Sequence, residues 1–163
     1  MNRATAPSPE RVAEINEVID RITRWARGRD DIVGLLLAGS CARNAARPDS
    51  DIDIVLLTTD GSRYLLEDAW TVEPGLGEVI RTQSWGPITE RRCSTASGLE
   101  VELGIGSPAW VRPAAWPAQK RRPREAGSRT VPRRPELRLA GRMPAIWAAQ
   151  HASCVAVFLL EQM

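Results

Sequence analysis

A Gly-Ser turn and two nearby carboxylates are the groups in this 163-residue chain best placed to do chemistry. Gly39-Ser40 closes the apolar run Ile32 to Ala38, and Asp51-Ile52-Asp53 opens the next apolar run after ten intervening residues. A strand that ends in Gly-Ser can turn sharply and expose backbone N–H groups. If Ser40 caps a short helical turn after it, those groups face outward as a site for phosphate. Asp51 and Asp53 alternate along a strand, so they share a face and lie roughly 6.6 Å apart by rise per residue. Such a pair can converge on divalent cations about 3.5–4 Å apart, the spacing used in phosphoryl and nucleotidyl transfer. Carboxylate and phosphate oxygens are what Mg²⁺ prefers.

The flanking sequence supplies elements to hold these groups. Ser8-Pro9-Glu10 reads as a helix start, with Ser as N-cap, Pro in the first turn and an acid beside it. Val12, Ile15, Val18, Ile19 and Ile22 repeat at helical spacing, and Gly28 is the expected stop. Ile32–Ala38 is a buried strand by its length and composition. Cys41–Ala45 is one helical turn, and Arg47 to Ser50 is loop chemistry. Asp51–Leu57 is a second strand, and Ser62–Trp70 is expected to be helical. Glu78–Trp85, Ile88–Thr95 and Leu99–Ile105 are three more strands, joined at Gly86-Pro87 and Ser97-Gly98 into a meander of hairpins. In the last of them Glu100 and Glu102 point to one side and Leu99, Val101 and Leu103 to the other. The fold class is α+β or α/β: a mixed sheet with helices packed on one face.

Charge divides the chain unevenly. Residues 1–110 carry 12 Lys+Arg against 17 Asp+Glu, a net of −5. Residues 111–145 carry 10 against 2, a net of +8, with six prolines and few large apolar residues. That stretch buries too little apolar surface to offset its ordering entropy and is expected to be poorly ordered. Residues 146–163 are apolar enough to dock as a helix, so three regions are expected: 1–110, 111–145 and 146–163. The Arg/Pro/Ala bias beyond Trp110 is the kind produced when GC-rich coding DNA is read out of frame, so residues 111–163 are expected to differ from a native C-terminus. The basic segment could contact nucleic acid.

No run reaches the ~18 apolar residues needed to cross a bilayer, and no secretory signal is visible. Cys41, Cys93 and Cys154 are odd in number and far apart, which argues against a disulfide framework or a zinc pair. A cytoplasmic protein with reduced thiols is expected. His151 and the six tryptophans read as structural.

The segment LLLAGSCARNAARPDSDIDIVLL resembles the signature of the DNA polymerase beta-type nucleotidyltransferase superfamily, in the pattern of its small stand-alone members. Gly39, Ser40, Arg43, Pro48, Ser50, Asp51 and Asp53 fall on that pattern. A second stretch, TERRCSTASGLEVELGIGSPAW, is similar to the third-carboxylate strand of one bacterial subgroup. The resemblance implies a nucleotidyltransferase-like mixed sheet and transfer of NMP, AMP from ATP being the usual case, to a hydroxyl by a two-Mg²⁺ mechanism. Gly39, Ser40 and Ser50 would form the nucleotide-binding turn, and Arg43 would neutralise the phosphates. Asp51 and Asp53 would bind two Mg²⁺, and Glu102, with Glu100 in reserve, would be the third catalytic and metal-binding carboxylate. Both are Glu where Asp is usual, and Asn44 stands where Gly is frequent. Asn is among the residues that best tolerate φ > 0. The implied partners are an NTP and a hydroxyl acceptor (a small molecule, a protein side chain or an RNA end), with a protein partner among the options and no membrane. Two alternatives compete: a degenerate member that binds nucleotide or partner without turnover, and a nucleic-acid-binding module working through the basic tail.

Overall fold

The computed structural model describes residues 6–109 in full and the backbone of 110–111 and 156–159. Helix α1 spans Pro9–Arg27. Ser8 caps it through a hydrogen bond from the Arg11 backbone N–H, and Gly28 ends it, as its sequence predicts. Strands follow at β1 (Ile32–Ala38), β2 (Ile52–Thr58), β3 (Glu78–Trp85), β4 (Ile88–Ser94), β5 (Glu100–Gly106) and β6 (Ala156–Leu159). Two single-turn helices, α2 (Gly39–Ala42) and α3 (Ser62–Leu65), interrupt them.

The strands form one mixed sheet in the order β3-β4-β5-β2-β1-β6. β3, β4 and β5 are the expected antiparallel meander, β1 and β2 are antiparallel, and β5 runs parallel to β2. The mixed α+β architecture read from the sequence is therefore present. Within the 146–163 segment expected to dock as a helix, Ala156–Leu159 pairs with β1 as an antiparallel strand. The remainder of 111–163, including the basic segment, Cys154 and His151, lies outside the described residues.

Alternation divides the sheet's two faces. One face carries Leu35, Leu37, Ile52, Ile54, Leu56, Val101, Leu103 and Ile105, which pack with Ile15, Val18, Ile22 and Trp25 of α1 into the main core. Each fully buried side chain of this size contributes about 1.5–3 kcal/mol of transfer free energy. Trp25 stacks on Trp70 at 5.6 Å between ring centroids, and Tyr64 meets both edge-on, at 5.9 and 5.4 Å. The other face holds a smaller cluster of Leu36, Ala38, Val55, Leu57 and Ile88, and the charged groups described below.

The expected helix over Ser62–Trp70 is cut to four residues, followed by a 3-10 turn at Ala69–Thr71. Tertiary donors capture the carbonyls that would have continued it. The Trp70 indole N–H donates to Tyr64 O at 3.2 Å, and Arg91 Nη1 donates to Leu65 O at 3.0 Å.

Asp31, at the entry to β1, ties this region together. It accepts hydrogen bonds from the Tyr64 hydroxyl (2.5 Å) and the Thr58 hydroxyl (3.0 Å) and pairs with Arg63 (3.1 Å). Burial pushes its carboxyl up, but those two hydrogen bonds, its backbone hydrogen bond and the Arg63 charge outweigh burial and hold it below the ordinary carboxylate value. A group with a lowered folded pKa contributes stability above its unfolded pKa and loses it as pH falls through the folded value. Asp31→Asn should therefore lower stability by about 1–3 kcal/mol at neutral pH, from weakened bonds to buried hydroxyls. The gap to the wild type should close as pH drops below about 4, where the wild-type carboxyl also protonates. Denaturant titrations at several pH values check this; a gap unchanged across that range would contradict it.

Candidate functional site

The sheet register sets charged residues side by side across four strands. Arg81 of β3 lies opposite Arg92 of β4, Arg92 opposite Glu102 of β5, and Glu102 opposite Asp53 of β2. Asp53 in turn lies opposite Ala38, the last residue of β1. Directly paired residues project to the same face, so this row stands on the face turned away from α1. Asp51, one residue before β2, completes the group: Asp51, Asp53 and Glu102 each offer a carboxylate oxygen, and these lie within 4.8 Å of one another.

The structure thus brings together the two aspartates and the favoured glutamate. Glu102 rather than Glu100 joins the cluster; Glu100 points the same way but pairs with Arg92 at its margin. Asp53 and Glu102 are buried, and Asp51 is half-buried. Burial, reinforced by the charge of Asp53, pushes the Asp51 carboxyl above its usual value. A cation beside Asp51 would favour its charged form.

The Gly-Ser turn borders the aspartates directly. Gly39 has φ +65°, and a Cβ there would run into the Asp53 carboxylate. Only glycine combines that left-handed backbone with that close approach. One expectation is corrected here. α2 begins at Gly39 after Ala38, without a side-chain cap, so Ser40 lies inside the turn and does not cap it. Its hydroxyl instead donates to Ser50 Oγ at 3.1 Å, and Ser50 Oγ also accepts from the Arg47 backbone N–H at 2.8 Å. These bonds tie the loop 43–50 back onto the turn. Asn44 adopts φ +54°, the conformation expected of it. Cys41 donates its Sγ–H to the Asp51 carbonyl at 3.3 Å. Burial, then the Asp53 charge, push that thiol up to about 11, so it stays a neutral donor. Arg43 ends α2 with an exposed side chain.

Sequence reasoning missed the arginines. Arg92 forms ion pairs with Glu102, Glu100 and, at 3.5 Å, Asp51. Arg81 pairs with Glu102 at 3.6 Å and with the fully buried Glu90 at 2.5 Å; Glu90 also accepts from the Trp85 indole at 3.1 Å. The turn expected at Ser97-Gly98 would by count put Arg92 opposite Leu103; the loop is one residue longer, with Thr95 bonded to Leu99, and that extra residue brings Arg92 opposite Glu102.

The donor set suits a hard divalent cation. Three carboxylates converge, an all-oxygen donor set of the kind that hard divalent cations take. A guanidinium already held by two of them shows that the group attracts positive charge.

Residues 17–86 match the nucleotidyltransferase domain family, which upholds the resemblance over β1, α2 and β2; Glu102 lies beyond the match. No curated protein matches the chain. Solved structures similar to it include a cytoplasmic RNA terminal U-transferase, at 16% identity over 61% of this chain and 30% of that one, with a TM-score of 0.48. The Cid1 poly(U) polymerase is 16% identical over 61% of this chain and 32% of its own, with a TM-score of 0.43. A STING-associated CdnE c-di-GMP synthase from Capnocytophaga granulosa is 17% identical over 63% and 35%, with a TM-score of 0.40. The chain therefore spans about a third of the length of these proteins.

Gly39→Ala tests the turn. It should cost roughly 1–3 kcal/mol in chemical denaturation, from left-handed strain and the displaced Asp53 carboxylate. Asn44→Gly, which relieves the same backbone conformation away from the carboxylates, should change stability by less than about 1 kcal/mol. A change at Gly39 no larger than that at Asn44 would contradict the contact between Gly39 and the Asp53 carboxylate.

Proposed function

We propose that the protein is a nucleotidyltransferase that moves NMP, AMP from ATP in the first instance, to a hydroxyl acceptor. The observation that carries this is the convergence of Asp51, Asp53 and Glu102 beside the Gly39-Ser40 turn, within and next to the segment that matches the nucleotidyltransferase domain. The backbone of Gly39 and Ser40 would receive the terminal phosphates, with Arg43 at the end of α2 as their counter-charge. Ser50 would keep the turn in shape through its bond with Ser40. Asp51, Asp53 and Glu102 would hold divalent cations, Mg²⁺ by the chemistry of the donors. Cations bound there would polarise the phosphoryl oxygens and offset charge developing in the transition state. In the transfer, the acceptor oxygen bonds to the α-phosphorus, the bond from that phosphorus to the bridging oxygen breaks, and pyrophosphate leaves. Glu102 would receive the hydroxyl proton. The acceptor is a small molecule, a protein side chain or an RNA end.

A second reading has one observation in its favour. Arg92 and Arg81 already pair with the carboxylates, an arrangement that would also suit a fold retained for binding a nucleotide or a partner without turnover.

Incubation with Mg²⁺ and ATP labelled at the α-phosphate, in the presence of cell extract, separates the two; mass spectrometry then identifies what gains AMP. Transfer should fall on the order of 10²–10³-fold in Asp51→Asn, Asp53→Asn and Glu102→Gln, as expected for loss of several kcal/mol of transition-state stabilisation. Glu100→Gln should stay within a few-fold of wild type. Circular dichroism should show all four folded. Full transfer by Glu102→Gln would sink the assignment of the third carboxylate, and no label on any acceptor would favour the second reading.

A further inference from the structure

Arg92 occupies an unusual place for a permanent cation. It leaves β4 directly beside Glu102, and its two terminal nitrogens serve three acids: Nη1 pairs with Glu100, and Nη2 with Glu102 and Asp51. Its Nε is buried and has no hydrogen-bond partner. The guanidinium is thus held by its carboxylate pairs at the expense of a donor. Glu100, Asp51 and Arg92 are open to solvent, with side chains 40%, 34% and 23% accessible against 8% for Glu102. Exchange can therefore proceed from the solvent side.

We propose that Arg92 is the resident counter-ion of the carboxylate cluster. It neutralises Asp51 and Glu102 while no divalent cation is bound, yields both to an incoming cation, and stays anchored on Glu100. The proposal rests on the reading of Asp51, Asp53 and Glu102 as a cation site. The physical reason is competition: a guanidinium and a divalent cation repel each other at this range, and both need the same two carboxylates. Arg92 accordingly lowers cation affinity and supports the cation-free fold. Glu100 has a defined part, to hold the arginine once its other partners are taken.

Mn²⁺ binding to the full chain, followed by the electron paramagnetic resonance of free Mn²⁺, tests this without reference to activity, together with thermal unfolding in the presence and absence of Mn²⁺. Arg92→Met should bind Mn²⁺ roughly tenfold tighter or more. It should melt lower than wild type without Mn²⁺ and gain more from its addition. Glu100→Gln, which removes the fallback anchor, should bind Mn²⁺ more weakly than wild type. If Arg92→Met does not fold, Arg92→Lys decides, since one ammonium cannot span three carboxylates and should still tighten binding. Unchanged or weaker Mn²⁺ binding in the arginine variant overturns the proposal. If wild type then still binds Mn²⁺ and Asp53→Asn does not, the cation site stands and only the counter-ion role falls; if neither wild type nor the arginine variant binds Mn²⁺, both fall together.

Discussion

Three carboxylate oxygens held within 4.8 Å of one another, two of the side chains buried, set the constraint the rest of the structure answers to. Like charges at that range repel strongly wherever water is scarce. Such an arrangement persists only if the backbone beneath it cannot relax and if positive charge stands close by. The sheet supplies both. Asp53 and Glu102 sit on paired central strands, β2 and β5, whose opposite faces are locked into the α1 core. Arg92 and Arg81 continue the same row outward, so the register that creates the repulsion also delivers its counter-charge.

The two faces of the sheet divide the work accordingly. Stability resides on the α1 face, in a continuous apolar layer and the Trp25–Tyr64–Trp70 group. The opposite face gives up part of its apolar area to charge and retains a smaller cluster farther along the strands. On the turn beside the aspartates, neighbouring groups add no negative charge. Gly39 contributes no side chain, and Cys41 contributes a thiol kept protonated by burial and by the aspartates themselves. A thiolate at Cys41 would face the same repulsion as a fourth carboxylate.

Much of this was legible in the sequence, and the reasons are local. Ile32–Ala38 and Glu78–Trp85 match their strands residue for residue, since apolar runs and turn residues bound them sharply. The α1 cap and stop were equally plain in Ser8 and Gly28. The pairing of Asp51 with Asp53 and the choice of Glu102 followed from strand alternation and family resemblance. What escaped depended on partners distant in the chain. The helix after Ser62 stops because Trp70 and Arg91 take its carbonyls, which no propensity reveals. Ser40 looked like a cap, but the left-handed Gly39 starts the turn one residue earlier and frees the hydroxyl for Ser50. The strand at Ala156–Leu159 was hidden because a short apolar segment reads equally well as helix or strand until an edge is available to pair with.

The β4–β5 hairpin is where these strands of argument meet. The matched segment ends before it, yet it contributes Glu102, Glu100, Arg92 and the buried Glu90. Its register depends on one small turn. The Thr95 N–H donates to Leu99 O, Gly98 N–H to Thr95 O, and Leu99 N–H to Thr95 Oγ1, with Gly98 at φ +81°. A shift of one residue would turn Glu102 toward the α1 core and leave Leu103 in its place. That shift would bury a charge among apolar side chains and strip the core of a fully buried leucine, so both faces reject it. The acidic cluster is therefore specified less by the carboxylates' own interactions, which are repulsive, than by the hydrophobic alternation behind them. Core packing on one side of the sheet fixes the position of charge on the other.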